Sequence, residues 1–195
     1  MANQDVPRGF SPMNDITGSG LTGMTSSYAI LAANTVPIGK GDLVKRTGAM
    51  AIINGQSYPV IVRAAAADTQ FEGSFVGLDP VAEDYSTFRT TGAKSIDRIA
   101  LVMCGPFIEY EAQADGNIPD TSAGLNADII VGNADAITGQ SIMEIDSGTT
   151  TAPATTAALP IRLVRRSRVI NNEAGSFATW VVRINQHAST DTTGL

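Results

Sequence analysis

The sequence contains little of the chemistry from which enzyme and metal sites are usually built. Its 195 residues include one cysteine, Cys104, and one histidine, His187. A single cysteine excludes an internal disulfide and a cysteine-cluster metal site, and a single histidine excludes a site with several histidine ligands. We therefore expect no bound metal.

The nucleophile and base of a hydrolase are equally hard to find. Any triad would have to use His187, in "RINQHAS" near the end of the last apolar segment, and no G-x-S-x-G elbow is present. Cys104 lies in the apolar stretch "IALVMCGPFI", which is typical of a small buried side chain. We expect His187 to form hydrogen bonds at a strand end and predict that the protein is not an enzyme.

The carboxylates suggest surface positions. Glu109 and Glu111 lie two residues apart, on one face of a predicted strand, where a pair usually faces solvent or a partner instead of a substrate cleft. The spacing of a looser group matches no EF-hand loop and predicts solvated turns; its members are Asp115, Asp120, Asp128 and Asp135.

Long apolar runs are also missing. None approaches the ~18 residues of a membrane span. The first ten residues, "MANQDVPRGF", lack the basic and then apolar layout of a signal peptide. We expect synthesis in a cytoplasm and no membrane association.

One stretch does match a cofactor motif. "TGSGLTG", Thr17–Gly23, contains G-x-G-x-x-G, and Asp42 follows about twenty residues later. A dinucleotide site needs these glycines between a buried strand and a helix, but "FSPMND" precedes them and a β-leaning segment that ends at Pro37 follows. We interpret the match as accidental and predict no cofactor.

Charge is scarce and unevenly distributed. Only 16% of residues are charged and the net charge is −6, yet the residues from Pro160 onward carry 5 basic and 2 acidic side chains. "IRLVRRSRV" places Arg162, Arg165, Arg166 and Arg168 within seven residues. Nucleic-acid binding is disfavoured because no aromatic residue is interleaved and the remaining chain is acidic. Two interpretations stay open: a solvated strand edge blunted against aggregation, or a contact surface for carboxylates of another subunit.

Short apolar segments separated by turn residues dominate the chain from Tyr28 onward. Asn54-Gly55, Gly105-Pro106, Asp115-Gly116 and Gly132-Asn133 separate strand-length runs. This spacing predicts an all-β fold, an antiparallel β-sandwich or jelly-roll-like barrel. Residues 28–195 form the predicted domain, with a Thr-rich surface loop near 147–160.

The first 27 residues have no sustained hydrophobic period and predict an extended N-terminal arm. Ordering such an arm costs about 1–2 kcal/mol per residue, so a partner would have to supply contacts. The candidate contact residues in the arm are Arg8, Phe10, Met13, Ile16, Leu21 and Met24.

The order of these segments resembles the head-decoration, or cement, proteins of tailed bacteriophages. The resemblance runs over about 180 residues. It is carried by Gly9, Phe10, Pro12, Gly18 and Gly20, then by "YAI" (28–30), "IGKGDLV" (38–44), "FVG" (75–77), "YEAQAD" (110–115), "GLNADIIVG" (124–132), "TGQSIMEID" (138–146), "IRLVRR" (161–166), "NNEAGSFA" (171–178) and "VRINQHA" (182–188).

This resemblance implies a non-enzymatic virion protein. Such a protein is made in the host bacterial cytoplasm, binds the major capsid protein on the capsid exterior, cements neighbouring capsomers and stabilises the mature head. It also implies a homotrimer. The alternative is a virion or surface carbohydrate-binding module of β-sandwich fold, which would need an exposed aromatic platform built from Trp180 or the tyrosines.

Overall fold

The protein is described by a computed structural model that covers residues 3–18, 20–21, 24–89, 92 and 94–190. Ser19, Thr22 and Gly23 of the predicted arm, and the last five residues of the predicted domain, lie outside these ranges. The described residues contain no α-helix and one 3₁₀ turn, Asp120–Ser122. No helix in this part of the chain has the length and apolar character needed to cross a membrane.

Twelve strands form the described structure, and the prediction of an all-β fold with antiparallel sheets is confirmed. The jelly-roll strand order stays a prediction. The strands are β1 (Ser11–Asp15), β2 (Thr25–Ile30), β3 (Leu43–Ile53), β4 (Gln56–Arg63), β5 (Gly73–Leu78), β6 (Arg98–Met103), β7 (Ile108–Gln113), β8 (Asn126–Ala127), β9 (Ile129–Ile130), β10 (Glu144–Ile145), β11 (Ile161–Arg166) and β12 (Thr179–Ile184).

The strands are arranged in two main layers. One is a five-stranded sheet in the order β1-β7-β12-β11-β8, and the other is a closed barrel in the order β2-β4-β3-β5-β6. Strands β9 and β10 form a separate small pair. All pairs are antiparallel except β2–β4, which touch in parallel at Ala29 and Val60.

The main core lies against one face of the five-stranded sheet. Side chains alternate along a strand, so Trp180, Val182 and Ile184 of β12 share a face, as do Ile108, Tyr110 and Ala112 of β7. All belong to the largest buried cluster, and Trp180 is its largest fully buried side chain. The polar and charged residues of these strands consequently lie on the opposite face.

The barrel has a second core, and one of its hairpins extends beyond it. Strands β3 and β4 are joined at Asn54-Gly55, whose φ values of 52° and 78° form the two-residue turn expected for this dipeptide. The predicted segments "DLVKRTG" and "AMAIING" form one strand, β3, because an irregularity between Arg46 and Met50 absorbs the extra residues.

The N-terminal segment is integrated into the same domain. Strand β1 pairs with β7, and Phe10 is fully buried in the main core. The contacts that order this segment therefore come from its own chain. The predicted loop at 147–160 contains no strand, and Asp146 accepts hydrogen bonds from the backbone N–H groups of Gly148, Thr149 and Thr151 at its start.

The environment of Glu144 in β10 disfavours the ionised form of its carboxyl group. Burial raises the pKa of its carboxyl to about 7, and the neighbouring Asp5 and Asp115 carboxylates add to the shift. One carboxyl oxygen is buried and accepts no hydrogen bond from any residue that the structure describes. Because the folded pKa exceeds that of the unfolded chain, ionisation between about pH 4.5 and 7 weakens the fold.

We therefore predict that Glu144→Gln stabilises the protein at pH 8 and has no such effect below pH 4.5. After allowance for solvent screening, the gain is about 1 kcal/mol, or roughly 2–4 °C in Tm. Thermal melts at both pH values measure it, with Glu83→Gln on an exposed turn as the control. Equal Tm changes for Glu144→Gln at both pH values would contradict the assignment.

Candidate interaction surface on the five-stranded sheet

The outer face of the five-stranded sheet, the face turned away from the main core, collects charged residues from three strands. The register places Arg183 of β12 opposite Glu109 of β7 and Arg162 of β11. A register shift in β11 then puts Arg165 opposite Val181, which itself lies opposite Glu111.

The two glutamates lie on one face, as the sequence predicted, and both bind within the chain. Glu109 accepts a hydrogen bond of 3.1 Å from the Asn14 amide and lies 3.9 Å from the Arg165 guanidinium. Glu111 accepts a hydrogen bond from the Ser167 hydroxyl. These carboxylates therefore fasten β1 and the residues after β11 onto the sheet.

A rigid ridge, defined as residues 167–172, rises beside the end of β11. The Asn172 amide donates to the carbonyls of Ser167 (2.9 Å) and Thr179 (2.7 Å), and its oxygen accepts from the Thr179 N–H (2.8 Å). The tip of the ridge exposes two apolar side chains, Val169 (47%) and Ile170 (90%). A well-tethered loop that exposes aliphatic side chains is suited to contact with another surface.

Two open clefts flank this ridge. A cleft of about 560 Å³ lies between the ridge and the N-terminal segment, where Gln4, Val6 and Arg8 line it. A second, of about 460 Å³, lies between the ridge and the 3₁₀ turn and is lined by Arg165, Arg166, Ser167, Arg168 and Asp120 among others. Val169 lines both, so the ridge divides one continuous surface.

The arginines of this surface are neutralised to different degrees. Arg166 makes two hydrogen bonds to the Asp120 carboxylate, at 3.0 and 3.1 Å, and a third to the Asn172 carbonyl. Arg162 and Arg168 are exposed and form no ion pair with any residue that the structure describes. They retain their full capacity to bind carboxylates.

The N-terminal side of the surface is held by Gln113. Its amide nitrogen donates to the carbonyl of Gln4 (2.6 Å), and its oxygen accepts from the N–H of Val6 (2.9 Å). The carbonyl of Arg8 accepts a hydrogen bond from Gln140, which leaves the Arg8 side chain exposed at the first cleft.

The structure brings together only part of the predicted contact set. Arg8, Arg165, Arg166 and Arg168 line the two clefts, and Arg162 lies on the outer face of β11. The apolar residues of the arm lie elsewhere.

Three of the predicted apolar anchors serve the protein's own core. Phe10 is fully buried, so it has no surface to offer a partner, and Leu21 and Met24 are half-buried against the main core. Met13 and Ile16 are exposed near the other end of β1, where the Ile16 N–H donates to the Phe107 carbonyl. An isolated apolar residue in a polar segment indicates burial but does not reveal which chain buries it.

Several important residues of the surface carried no recognisable sequence signal. Asn172, Gln113 and Asn3 act through side-chain bonds to distant backbone groups, for example from Asn3 to the carbonyls of Glu173 and Ser176. The apolar pair Val169-Ile170 directly after the arginines, followed by Asn171-Asn172, was the only available signal of an exposed turn.

His187 and Cys104 lie away from the outer face of the five-stranded sheet. His187 is buried; its Nδ1 accepts a hydrogen bond from the Ser189 N–H, and burial lowers the pKa of the ring. Cys104 is half-buried and packs against the barrel core. Within the described ranges, no three His, Cys, Asp or Glu residues cluster as metal ligands would.

Comparison with known proteins leaves the family of this chain open. No family model, no curated protein and no solved structure matches it.

The geometry predicts that Asn172→Ala loosens the ridge. Loss of its three hydrogen bonds leaves backbone groups of Ser167 and Thr179 without partners, which lowers the free energy of unfolding by about 1–3 kcal/mol. Denaturant unfolding and hydrogen exchange of residues 167–172 measure the effect, with Asn117→Ala, at an exposed residue that bridges Ser176, as the control. Unchanged exchange in the ridge would show that Asn172 does not hold it.

Proposed function

We propose that this chain is a structural protein of a tailed-phage virion that binds the outer surface of the capsid and cements neighbouring capsomers. The outer face of the five-stranded sheet is the contact surface, and the major capsid protein is the partner. The observation that carries the proposal is a rigid ridge that exposes Val169 and Ile170 and bears Arg168, which forms no ion pair with any described residue. The sequence resemblance to head-decoration proteins supports the assignment.

Charge favours an acidic protein surface as the partner. The chain has a net charge of −6, yet Arg8, Arg165, Arg166 and Arg168 line the two clefts, and Arg162 lies on the same face of β11 as Arg165. Guanidinium groups bind carboxylates in a bidentate geometry, and Asp120 already binds Arg166 in this way. Carboxylates of a capsid subunit would bind Arg162 and Arg168 in the same manner.

The same surface is poorly suited to nucleic acid. Glu109, Glu111 and Asp120 lie among the arginines and would repel phosphates. No aromatic residue lines either of the two large clefts, so bases would find no stacking platform. Mixed charge with aliphatic side chains is typical of contacts between proteins.

The carbohydrate-binding alternative receives less support from the aromatic residues. Trp180, Tyr28 and Tyr110 are buried in the two cores. Tyr85 is the most exposed aromatic among the described residues, and Trp180, the ring best suited to stack on a sugar, is fully buried.

Cementing requires each copy to hold more than one capsid subunit. A standard interface covers about 800 Å² per partner, and the two clefts with the ridge between them extend across several strands of the sheet. A homotrimer, which the resemblance implies, would present this surface three times and gain affinity by multivalency.

The test is co-sedimentation of the purified protein with mature capsids that lack it. We predict saturable binding at a fixed copy ratio, weakened by high salt, and at least about tenfold weaker for Arg168→Glu because the reversed charge repels the acidic partner. Deleting the arm up to residue 27 is a poor test, since it removes Phe10 and β1 from the fold.

Lys94→Glu is the matched control, because Lys94 is an exposed cation outside both large clefts. Absence of binding by the folded wild-type protein would reject the capsid assignment. Binding of wild type with equal loss in both charge-reversal variants would reject the outer face as its site.

A further inference from the structure

The outer half of the β3–β4 hairpin is an unprotected strand edge. Strand β3 pairs with β5 at Leu43 and Val44, so within the part of the chain that the structure describes, β4 is its only partner strand from Thr47 to Ile53. On one face of this ribbon, Ala51 and Val60 pack against Ala29. The opposite face exposes Met50 (59%) and Ile52 (77%).

The register shows which backbone groups point away from β4. In a two-residue hairpin, the residues that flank the turn, here Ile53 and Gln56, exchange hydrogen bonds with each other. The ladder alternates, so Ala51 also faces β4 while the N–H and C=O groups of Met50 and Ile52 point outward. An exposed row of this kind is a template for another strand.

Three other strand edges are protected against such pairing. Strand β1 contains Pro12, which has no N–H, and its register shifts before Asn14. Strand β8 is covered by Ala154, which exchanges two backbone hydrogen bonds of 2.8 Å with Asn126. Strand β4 has Pro59 on the edge away from β3. The outer half of β3 has neither proline nor charge, and the sequence is uncharged from Thr47 to Val62.

We propose that β3 pairs edge to edge, in antiparallel orientation, with the same strand of a second copy of this chain. The two-fold axis passes near Ala51, so Met50 of one copy exchanges backbone hydrogen bonds with Ile52 of the other. A second copy fits because the contact is self-complementary. Thr47–Ile53 contains no charged residue, so the pairing brings no like charges together although each chain carries −6 overall.

The pairing converts two marginal two-stranded ribbons into one wider sheet and joins their exposed apolar faces. It uses residues outside the two clefts of the outer face, so it does not rest on the capsid assignment. A two-fold contact closes at two copies, and between trimers it would link one trimer to the next.

The test is sedimentation velocity of the full-length protein over a concentration series, without capsids. The wild type is expected to double in mass from its smallest species as concentration rises. Ile52→Lys should weaken this doubling at least tenfold, because two like charges would then lie diagonally opposite each other on one face of the new strand pair. Ile137→Lys, at a residue 90% exposed in a separate turn, should double like the wild type.

A second variant separates edge pairing from simple apolar contact. Ile52→Pro keeps an apolar side chain but removes the outward N–H, and it should double as poorly as Ile52→Lys. Circular dichroism verifies that each variant is folded; if the proline variant is not, the lysine variant decides. The proposal would be overturned if the wild type never doubled in mass. It would also be overturned if the lysine variant, or a folded proline variant, doubled like the wild type.

Discussion

The alternation of side chains along β7, β11 and β12 is the constraint on which the rest of the structure depends. One face of these strands is committed to the core by Trp180, Tyr110 and Leu163, all of them fully buried. The residues that alternate with these along each strand can point only to the outer face. Arg162, Arg165 and Arg183 are therefore gathered with Glu109 and Glu111 on one surface by the packing of the residues between them.

That surface is held rigid before any partner arrives. Asn172 and Gln113 bind backbone groups of the ridge and of the N-terminal segment, and Glu111 binds Ser167. Ordering a loop on binding costs free energy, so a ridge that is already ordered leaves more of the contact energy for affinity. Exposed Val169 and Ile170 would be unfavourable on a surface without a partner, which is consistent with the proposed contact.

The fold class and most strand positions could be predicted from the sequence because both depend on local pattern. Turn dipeptides and apolar runs located β5, β6, β7, β11 and β12 closely. The burial of Phe10 by its own chain could not be predicted, because an apolar residue in a polar segment gives no information on which chain buries it. The arginine group was found by its local density, but Asn172 and Gln113 act on residues that only the fold brings near.

The chain thus presents two surfaces of different chemistry. The outer face carries mixed charge, with Arg162 and Arg168 outside any described ion pair, and an aliphatic ridge that suits a protein partner, whereas the β3 edge is uncharged and suits a second copy of itself. Each is displayed on its own part of the fold, the outer face on the five-stranded sheet and the edge on a hairpin of the barrel. A loss of function at one surface would therefore leave the other intact.

The central claim, that the outer face binds the capsid, is tested most directly by hydrogen exchange of the protein free and bound to mature capsids that lack it. The account predicts new protection in residues 3–9 and 167–172, with little change in β5 and β6 of the barrel. Protection confined to the barrel, with the 167–172 ridge exchanging as it does in the free protein, would contradict it.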